Sequence, residues 1–354
     1  MFKEIGSEFW KEKNIFIADN ESIYLSGRTA LDAIVRDAIE NYGIKAAILP
    51  SYCCDSMIEP FYRNNISVRF FDVIQDYHSG ELVAKLPSAK ENEMLLYMKY
   101  FGSNILAGIC SENIRRWSVA VEDMTHSCLC DGYVSEAEYS FESYRKWFAL
   151  DGLAIARKKD KKPLEPKKVP NYEFVKLRTQ GFVLKNNFIN EKKIEKQLYL
   201  EKFLRASHEL SIDYMDRLPA PNALIDLFEF KREIVITRKK RQQNAQILRE
   251  GIHNTEEIDQ LVDNSHDLDC PFFLSVFVKN GQRDALRQYL IKNQIYCPIH
   301  WPLSEYHRGI SNRAKKVYKG ELSLVCDQRY GIDDMKRIVS SIQTFFKNKD
   351  EEYE

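Results

Sequence analysis

Short apolar runs alternate with helix-length amphipathic segments through the first half of the chain, and no other feature limits the possible folds as much. Leu31, Ile34, Val35, Ala38, Ile39 and Tyr42 recur at helical spacing, which puts them on one face of a helix. Residues 45–49 read as a short buried strand ending at Pro50, and residues 56–64 as a helix. Residues 68–73, 94–98 and 118–121 read as further strands. Strands separated by helices predict an α/β fold, with a mostly parallel central sheet flanked by helices on both faces. Ligands of such sheets sit at the carboxyl ends of the strands.

The second half reads differently. Residues 193–210 and 222–251 are long, charged and helix-like, residues 271–278 and 322–325 strand-like, and residues 283–293 helical. A closing helix over 333–346 places Met335, Ile338, Val339, Ile342 and Phe345 on one face. This pattern predicts a large domain over residues 1–235 and a smaller C-terminal α+β domain over 236–354.

Composition narrows the function classes. The 354 residues can bury a sizeable core, and 44% hydrophobic with 29% charged residues is ordinary for a soluble globular protein. Lys+Arg and Asp+Glu balance at 52 each, so no general electrostatic attraction to nucleic acid or an anionic membrane is expected. The longest apolar stretch, 271–278, is too short to span a bilayer. Residues 1–6 lack the apolar core of a signal peptide, and a cytoplasmic location is expected. The eight cysteines are scattered, and neither Cys53-Cys54 nor Cys128-Leu129-Cys130 has the paired C-x-x-C spacing of structural zinc. Buried free thiols and no metal are expected.

Two residues suggest chemistry. The apolar run from Val119 ends in Asp123, and Lys146 closes a short polar turn, Ser143-Tyr144-Arg145-Lys146, ahead of a second apolar run at 152–156. Pyridoxal phosphate enzymes need such a pair: an amine to condense with the aldehyde, and a carboxylate to keep the ring nitrogen protonated. Asp123 is favoured over Glu122 because side chains of a strand alternate between faces. His126, three residues on, is placed to stack on the ring or bond its phenolic oxygen. Trp147 and Phe148 follow Lys146; a partly desolvated amine has a lowered pKa. Ser143 can offer a hydroxyl to a phosphate, and Arg145 a charge.

Ser26-Gly27-Arg28-Thr29-Ala30 directly precedes the first amphipathic helix. The segment is compatible with an ordinary N-cap and with a phosphate site at a helix N-terminus, where Gly27 admits an anion and Arg28 and Thr29 add charge and hydroxyl. The basic residues of 157–163, with Lys167 and Lys168, read as a solvated turn, and Arg238 to Arg241 as a water-facing stretch of helix. His300 and Trp301 fall on a loop that could close over substrate, though for Trp301 a buried anchor is the commoner outcome.

Four stretches carry a family resemblance: Ser26 to Leu31, Leu49-Pro50-Ser51-Tyr52, Val121 to Ser127 and Ser143 to Trp147, with Tyr296-Cys297-Pro298-Ile299-His300-Trp301 downstream. The chain resembles a divergent member of the DegT/DnrJ/StrS sugar aminotransferases, among the fold-type I pyridoxal phosphate enzymes. The resemblance implies a seven-stranded sheet, Lys146 as the cofactor lysine, Asp123 as the ring-nitrogen partner, and a homodimer with sites at its interface. It also implies amino transfer from an amino acid such as glutamate to a keto sugar, nucleotide-linked. Departures are specific. Arg28 stands where the family has a small residue. Cys54 occupies the ring-stacking position, with Tyr52 two residues before it. Phe141 replaces the family's serine, which shifts that role to Ser143. The partner-chain asparagine has no counterpart between Gly152 and Leu184. The same site chemistry supports other pyridoxal phosphate reactions, such as dehydration or elimination, and the altered positions leave open a non-catalytic protein that keeps the fold for binding.

Overall fold

The computed structural model describes residues 17–191 and 194–353. Residues 1–6, read above for a signal peptide, and Lys193, the expected start of a helix, lie outside the described residues.

Eight strands form one sheet: β1 (Glu21–Tyr24), β2 (Ala46–Pro50), β3 (Ser67–Gln75), β4 (Leu82–Lys85), β5 (Glu93–Met98), β6 (Val119–Asp123), β7 (Tyr139–Ser143) and β8 (Ala154–Lys158). Their order is β1-β8-β7-β6-β5-β2-β3-β4. The five central strands, β3, β2, β5, β6 and β7, pair in parallel, and β4, β8 and β1 add antiparallel edges. The sheet therefore has eight strands where seven were expected.

Among the described residues three α-helices belong to this half: α1 (Gly27–Tyr42), α2 (Asp55–Arg63) and the single turn α3 (Ser111–Ile114). Ser26 caps α1 by accepting from the Thr29 N–H, and Gly43 ends it in the left-handed region at φ 63°. Leu31, Ile34, Val35 and Ala38 of α1 pack with Ile48, Leu49, Leu95 and Val121 into the main hydrophobic cluster. Burial on both faces is why β2, β5 and β6 are nearly continuous apolar runs.

Beyond β8 come α4 (Tyr172–Asn190), α5 (Lys196–Ile212), α6 (Ala223–Lys231) and α7 (Ile234–Ile252). The helix expected over 222–251 is two helices, and α4 was not foreseen; it packs along α5 as a hairpin. A second, three-stranded antiparallel sheet holds β9 (Ile258–Gln260), β10 (Leu274–Val278) and β11 (Glu321–Leu324), in the order β11-β10-β9. With α8 (Arg283–Lys292), α9 (Asn312–Gly320) and α10 (Ile332–Tyr353) these elements complete the described residues. A separate hydrophobic cluster, from Ala245 to Phe346, binds α7, α8 and α10 to β10 and β11.

Two basic segments depart from expectation. Arg157 and Lys158 belong to β8 and are paired: Arg157 with Glu21 at 2.6 Å and Glu142 at 2.7 Å, Lys158 with Asp37 at 2.6 Å. Only residues 159–162 and 167–168 of that run form the solvated part. Arg241 is buried under the Trp147 ring, 4.5 Å from its centroid, and donates to the Pro271 and Phe272 carbonyls. Arg238 pairs with Asp131 at 2.6 Å. Facing loops carry these acceptors, so a helix-surface reading could not reveal them. All eight cysteines are unpaired, and Cys110 is exposed where burial was expected. No helix among the described residues is long and apolar enough to cross a membrane.

Candidate active site

A cavity of ≈ 290 Å³ opens at the carboxyl ends of the parallel strands. β6 delivers Asp123 to it, and β7 delivers Ser143 and then, through the 3-10 turn Tyr144–Lys146, both Arg145 and Lys146. Gly27, Arg28, Cys54, His126, His300 and Trp301 complete the expected lining. Thr29 and Tyr52 do not line it. Thr29 donates to the Tyr214 carbonyl at 2.9 Å, inside the cap of α1. Tyr52 is fully buried, its hydroxyl donating to the His300 carbonyl and its ring 5.3 Å from that of Trp301. A larger open cleft of ≈ 940 Å³, between residues 75–80 and α9, contains none of these residues.

Charges in the cavity perturb one another. Lys146 is accessible yet surrounded by protein, so its amine faces the cavity. The neighbouring Arg145 charge, then burial, lower its pKa to about 8. Burial raises Asp123 to about 6, opposed by hydrogen bonds from Thr125, whose N–H donates at 2.8 Å, and by the Lys146 charge. Glu122 turns to the other face, where the Tyr97 and Tyr133 hydroxyls bind it at 3.0 and 2.7 Å. Burial and the charges of Arg178 and Arg28 lower Arg145 to about 10.

The polar atoms are incompletely satisfied. Ser143 Oγ, Arg145 Nε, Arg178 Nε and Arg28 Nε are buried without a hydrogen-bond partner. Buried donors ordinarily find an acceptor, and their clustering marks a place for an anion. A Cβ on Gly27 would come within 3.2 Å of Ser143 Cβ, so the start of α1 and the end of β7 are already as close as a side chain permits. Arg178, from α4, also lines the cavity; no local motif marks it in the sequence, because α4 reaches the cavity only through tertiary packing.

Two histidines also line the cavity. The His126 ring stacks on Trp301 with centroids 5.6 Å apart and planes 24° apart. Its Nδ1 accepts the Phe101 N–H at 3.4 Å, and burial holds it neutral, well below the ordinary imidazole pKa. Burial and the Lys146 charge lower His300 to about 3. Trp301 is half-buried against Tyr52 and His126 while still lining the cavity.

No family model matches the sequence, and no curated protein matches it. Solved structures do match. The aminotransferase TlmJ from Streptoalloteichus hindustanus is 13% identical, with 93% of this chain and 86% of that one covered and a TM-score of 0.64. Spr1654 from Streptococcus pneumoniae, in its PLP-form, is 12% identical, with 92% and 86% covered and a TM-score of 0.62. The sugar aminotransferase CalS13 from Micromonospora echinospora is 13% identical, with 92% and 87% covered and a TM-score of 0.57. The fold is therefore that of these aminotransferases over nearly its whole length, at a sequence distance where only the fold is shared knowledge.

Proposed function

We propose that this protein is a pyridoxal phosphate-dependent aminotransferase that moves an amino group from an amino acid, glutamate by resemblance, to a keto sugar, nucleotide-linked. The observation that carries the reading is the convergence of Lys146 and Asp123 on one cavity beside the Ser143 hydroxyl and the Nε atoms of Arg145, Arg178 and Arg28, which have no hydrogen-bond partner although Arg28 also pairs with Glu59 at 3.1 Å and Arg178 also donates to the Leu150 carbonyl at 2.9 Å. Those donors fit a phosphate dianion, with Ser143, Arg145 and the N-terminus of α1 at Gly27 as its holders. Asp123 would hold the ring nitrogen, Lys146 the aldehyde carbon, and His126 a ring face or the phenolic oxygen. Cys54 lies on the cavity wall, where the resemblance puts the stacking group. The cofactor, when bound, supplies an electron-withdrawing ring that stabilises a carbanion at the amino-bearing carbon. Lys146, lowered to about 8, is poised to take and return a proton at that carbon near neutral pH. The sugar assignment is supported by the resemblance and by the fold shared with CalS13. His300 and Trp301 are the side chains we assign to the acceptor.

A visible spectrum tests this. The protein mixed with pyridoxal phosphate is expected to show a violet absorption band that borohydride removes and that Lys146→Ala lacks; glutamate should convert it. A protein with no such band is not this enzyme, and a band that no amino acid converts points to the elimination or binding readings. A homodimer is the assembly this reading expects. Leu204, Ile212, Val183 and Ile189 on the α4–α5 hairpin are exposed apolar side chains consistent with a partner; a monomer at micromolar concentration in sedimentation would remove that expectation.

A further inference from the structure

Glu321, at the start of β11, is fully buried with no cation against its side chain among the ion pairs of the described residues, His300 apart. Its two oxygens do different work. Oε2 accepts the His300 backbone N–H at 2.6 Å. Oε1 meets Ser323 Oγ at 2.6 Å and receives Ser275 Oγ at 3.3 Å. Ser323 Oγ in turn lies 2.8 Å from His300 Nδ1, and the His300 ring lines the cavity. An unbroken chain of hydrogen-bonding atoms thus runs from a buried carboxyl, through one hydroxyl, to an imidazole at the candidate active site. The backbone of His300 is held at both its N–H, by Glu321, and its carbonyl, by the Tyr52 hydroxyl, which fixes the point from which the ring reaches Ser323.

The backbone N–H requires Oε2 to be an acceptor, so a proton on Glu321 has one seat, Oε1, facing Ser323. With that seat filled, Oε1 donates to Ser323, Ser323 donates to Nδ1, and His300 presents Nε2–H to the cavity. With it empty, Ser323 donates to Oε1, Nδ1–H donates to Ser323, and Nε2 presents a lone pair. We propose that Glu321, through Ser323, sets the tautomer of His300 and serves as a buried proton store for a substrate oxygen in the cavity. In the delivery step His300 Nε2 gives its proton to that oxygen, Nδ1 takes the Ser323 proton, and Ser323 takes the proton of Glu321, which is left as the carboxylate. The matching substrate is a carbonyl compound whose oxygen must gain protons to leave as water. That assignment rests on the aminotransferase reading; the tautomer coupling does not. His300 touches the substrate in this scheme, and Glu321 and Ser323 are positioning residues.

Charges around the chain agree with a proton held at neutral pH. Burial raises Glu321 to about 8, against lowering by its Ser323, His300 and Ser275 hydrogen bonds and by the Arg283 charge. Tyr52 and Cys297 are coupled to the same carboxyl, each itself raised by burial and so uncharged at neutrality. On the cavity side, His126 is neutral and the Lys146 cation opposes any charge on His300.

Nitrogen-15 NMR of the histidine rings, on the full chain without cofactor, tests the coupling. His300 is expected to be neutral throughout, protonated on Nε2 at pH 6 and on Nδ1 at pH 10. In Glu321→Gln the amide oxygen must serve the His300 N–H, so the amide nitrogen faces Ser323 and the Nε2–H form should persist at both pH values. Ser323→Ala should abolish the response as well, and serves if Glu321→Gln fails to fold. A wild-type tautomer that is the same on both sides of pH 8, or a switch that survives in these variants, overturns the proposal. Added pyridoxal phosphate in the same samples reads the aminotransferase assignment separately. Where amino transfer occurs, Glu321→Gln should slow the step with the keto acceptor on the order of 100-fold.

Discussion

The indole Nε1 of Trp147 donates to the Thr125 carbonyl at 2.7 Å, and this bond ties the turn that carries Lys146 to the loop that follows Asp123. The two candidate cofactor contacts are spaced by a neighbour of each. Trp147 is itself held between Phe272, 4.7 Å away, and the Arg241 guanidinium. Trp147→Phe keeps an aromatic ring there and leaves the Thr125 carbonyl with only the long Cys128 thiol contact at 3.9 Å. We expect a loss of about 1–3 kcal/mol in urea denaturation, accompanied by weaker binding of pyridoxal phosphate in a spectroscopic titration. A variant of wild-type affinity would mean that the two loops are positioned independently.

Ser143→Ala separates a ligand contact from a structural one. Ser143 Oγ is buried and has no partner in the chain, so removing it should leave the urea midpoint unchanged or slightly raised. If it binds a phosphate, its loss should weaken pyridoxal phosphate by about tenfold, the value of one hydrogen bond to a charged group. An unchanged dissociation constant would place the phosphate elsewhere.

Asp123 should make the cofactor-free protein less stable as pH rises. Its pKa goes from an ordinary 3.8 to about 6 in the folded chain, chiefly through burial. The folded state therefore binds the proton more tightly than the unfolded state. The contribution of Asp123 to stability is fully present below pH 4, is lost as pH climbs to about 6, and does not change beyond. Asp123→Asn removes the ionisation and should be more stable than wild type at pH 7, by at most about 3 kcal/mol, with little difference near pH 4. Urea denaturation at both pH values checks the sign. A destabilised Asp123→Asn at pH 7 would mean that hydrogen bonds from Thr125 outweigh burial.

These contrasts explain what the sequence could and could not reveal. β2, β5 and β6 are legible because both faces are buried and apolar residues run on without alternation, broken only by Glu93 at the start of β5 and Glu122 and Asp123 at the end of β6. β7 was not, because Ser140, Glu142 and Ser143 make it look like a loop; burial is tolerated since Glu142 is met by the Tyr144 hydroxyl at 2.6 Å and Arg157 at 2.7 Å. Asp123 and Lys146 stood out because each ends an element in chain order. Arg178 reaches the cavity from far along the chain, as does His300, which links Glu321 to it, and only tertiary packing brings them there. In β11 the alternation Glu321-Leu322-Ser323-Leu324 looks half-exposed, yet all four positions are buried.

Arg145→Gln should make the Lys146 amine more basic. The Arg145 charge is the largest cause of the lowering of Lys146 to about 8. Without it the amine moves back toward its ordinary 10.5, and each pH unit of that recovery reduces the free amine at pH 7 about tenfold. Acetylation of Lys146 by acetic anhydride, followed by mass spectrometry across pH, reads this directly. A midpoint that stays near 8 would assign the lowering to burial instead.

Lys158 and Asp37 tie the edge strand β8 to α1, each about 5% exposed, and the Tyr139 hydroxyl also donates to Asp37. Lys158→Met would leave the Asp37 carboxylate buried with only neutral donors, a change that costs about 3–5 kcal/mol. Replacing both partners, as Asp37→Leu with Lys158→Met, removes the orphaned charge and should recover much of that loss, because the desolvation of two ions disappears with them. Urea denaturation of the two single variants and the double variant separates these terms. A double variant as unstable as the sum of the singles would mean that the pair contributes through its hydrogen bonds to Tyr139 and the strand, and that its charge is incidental.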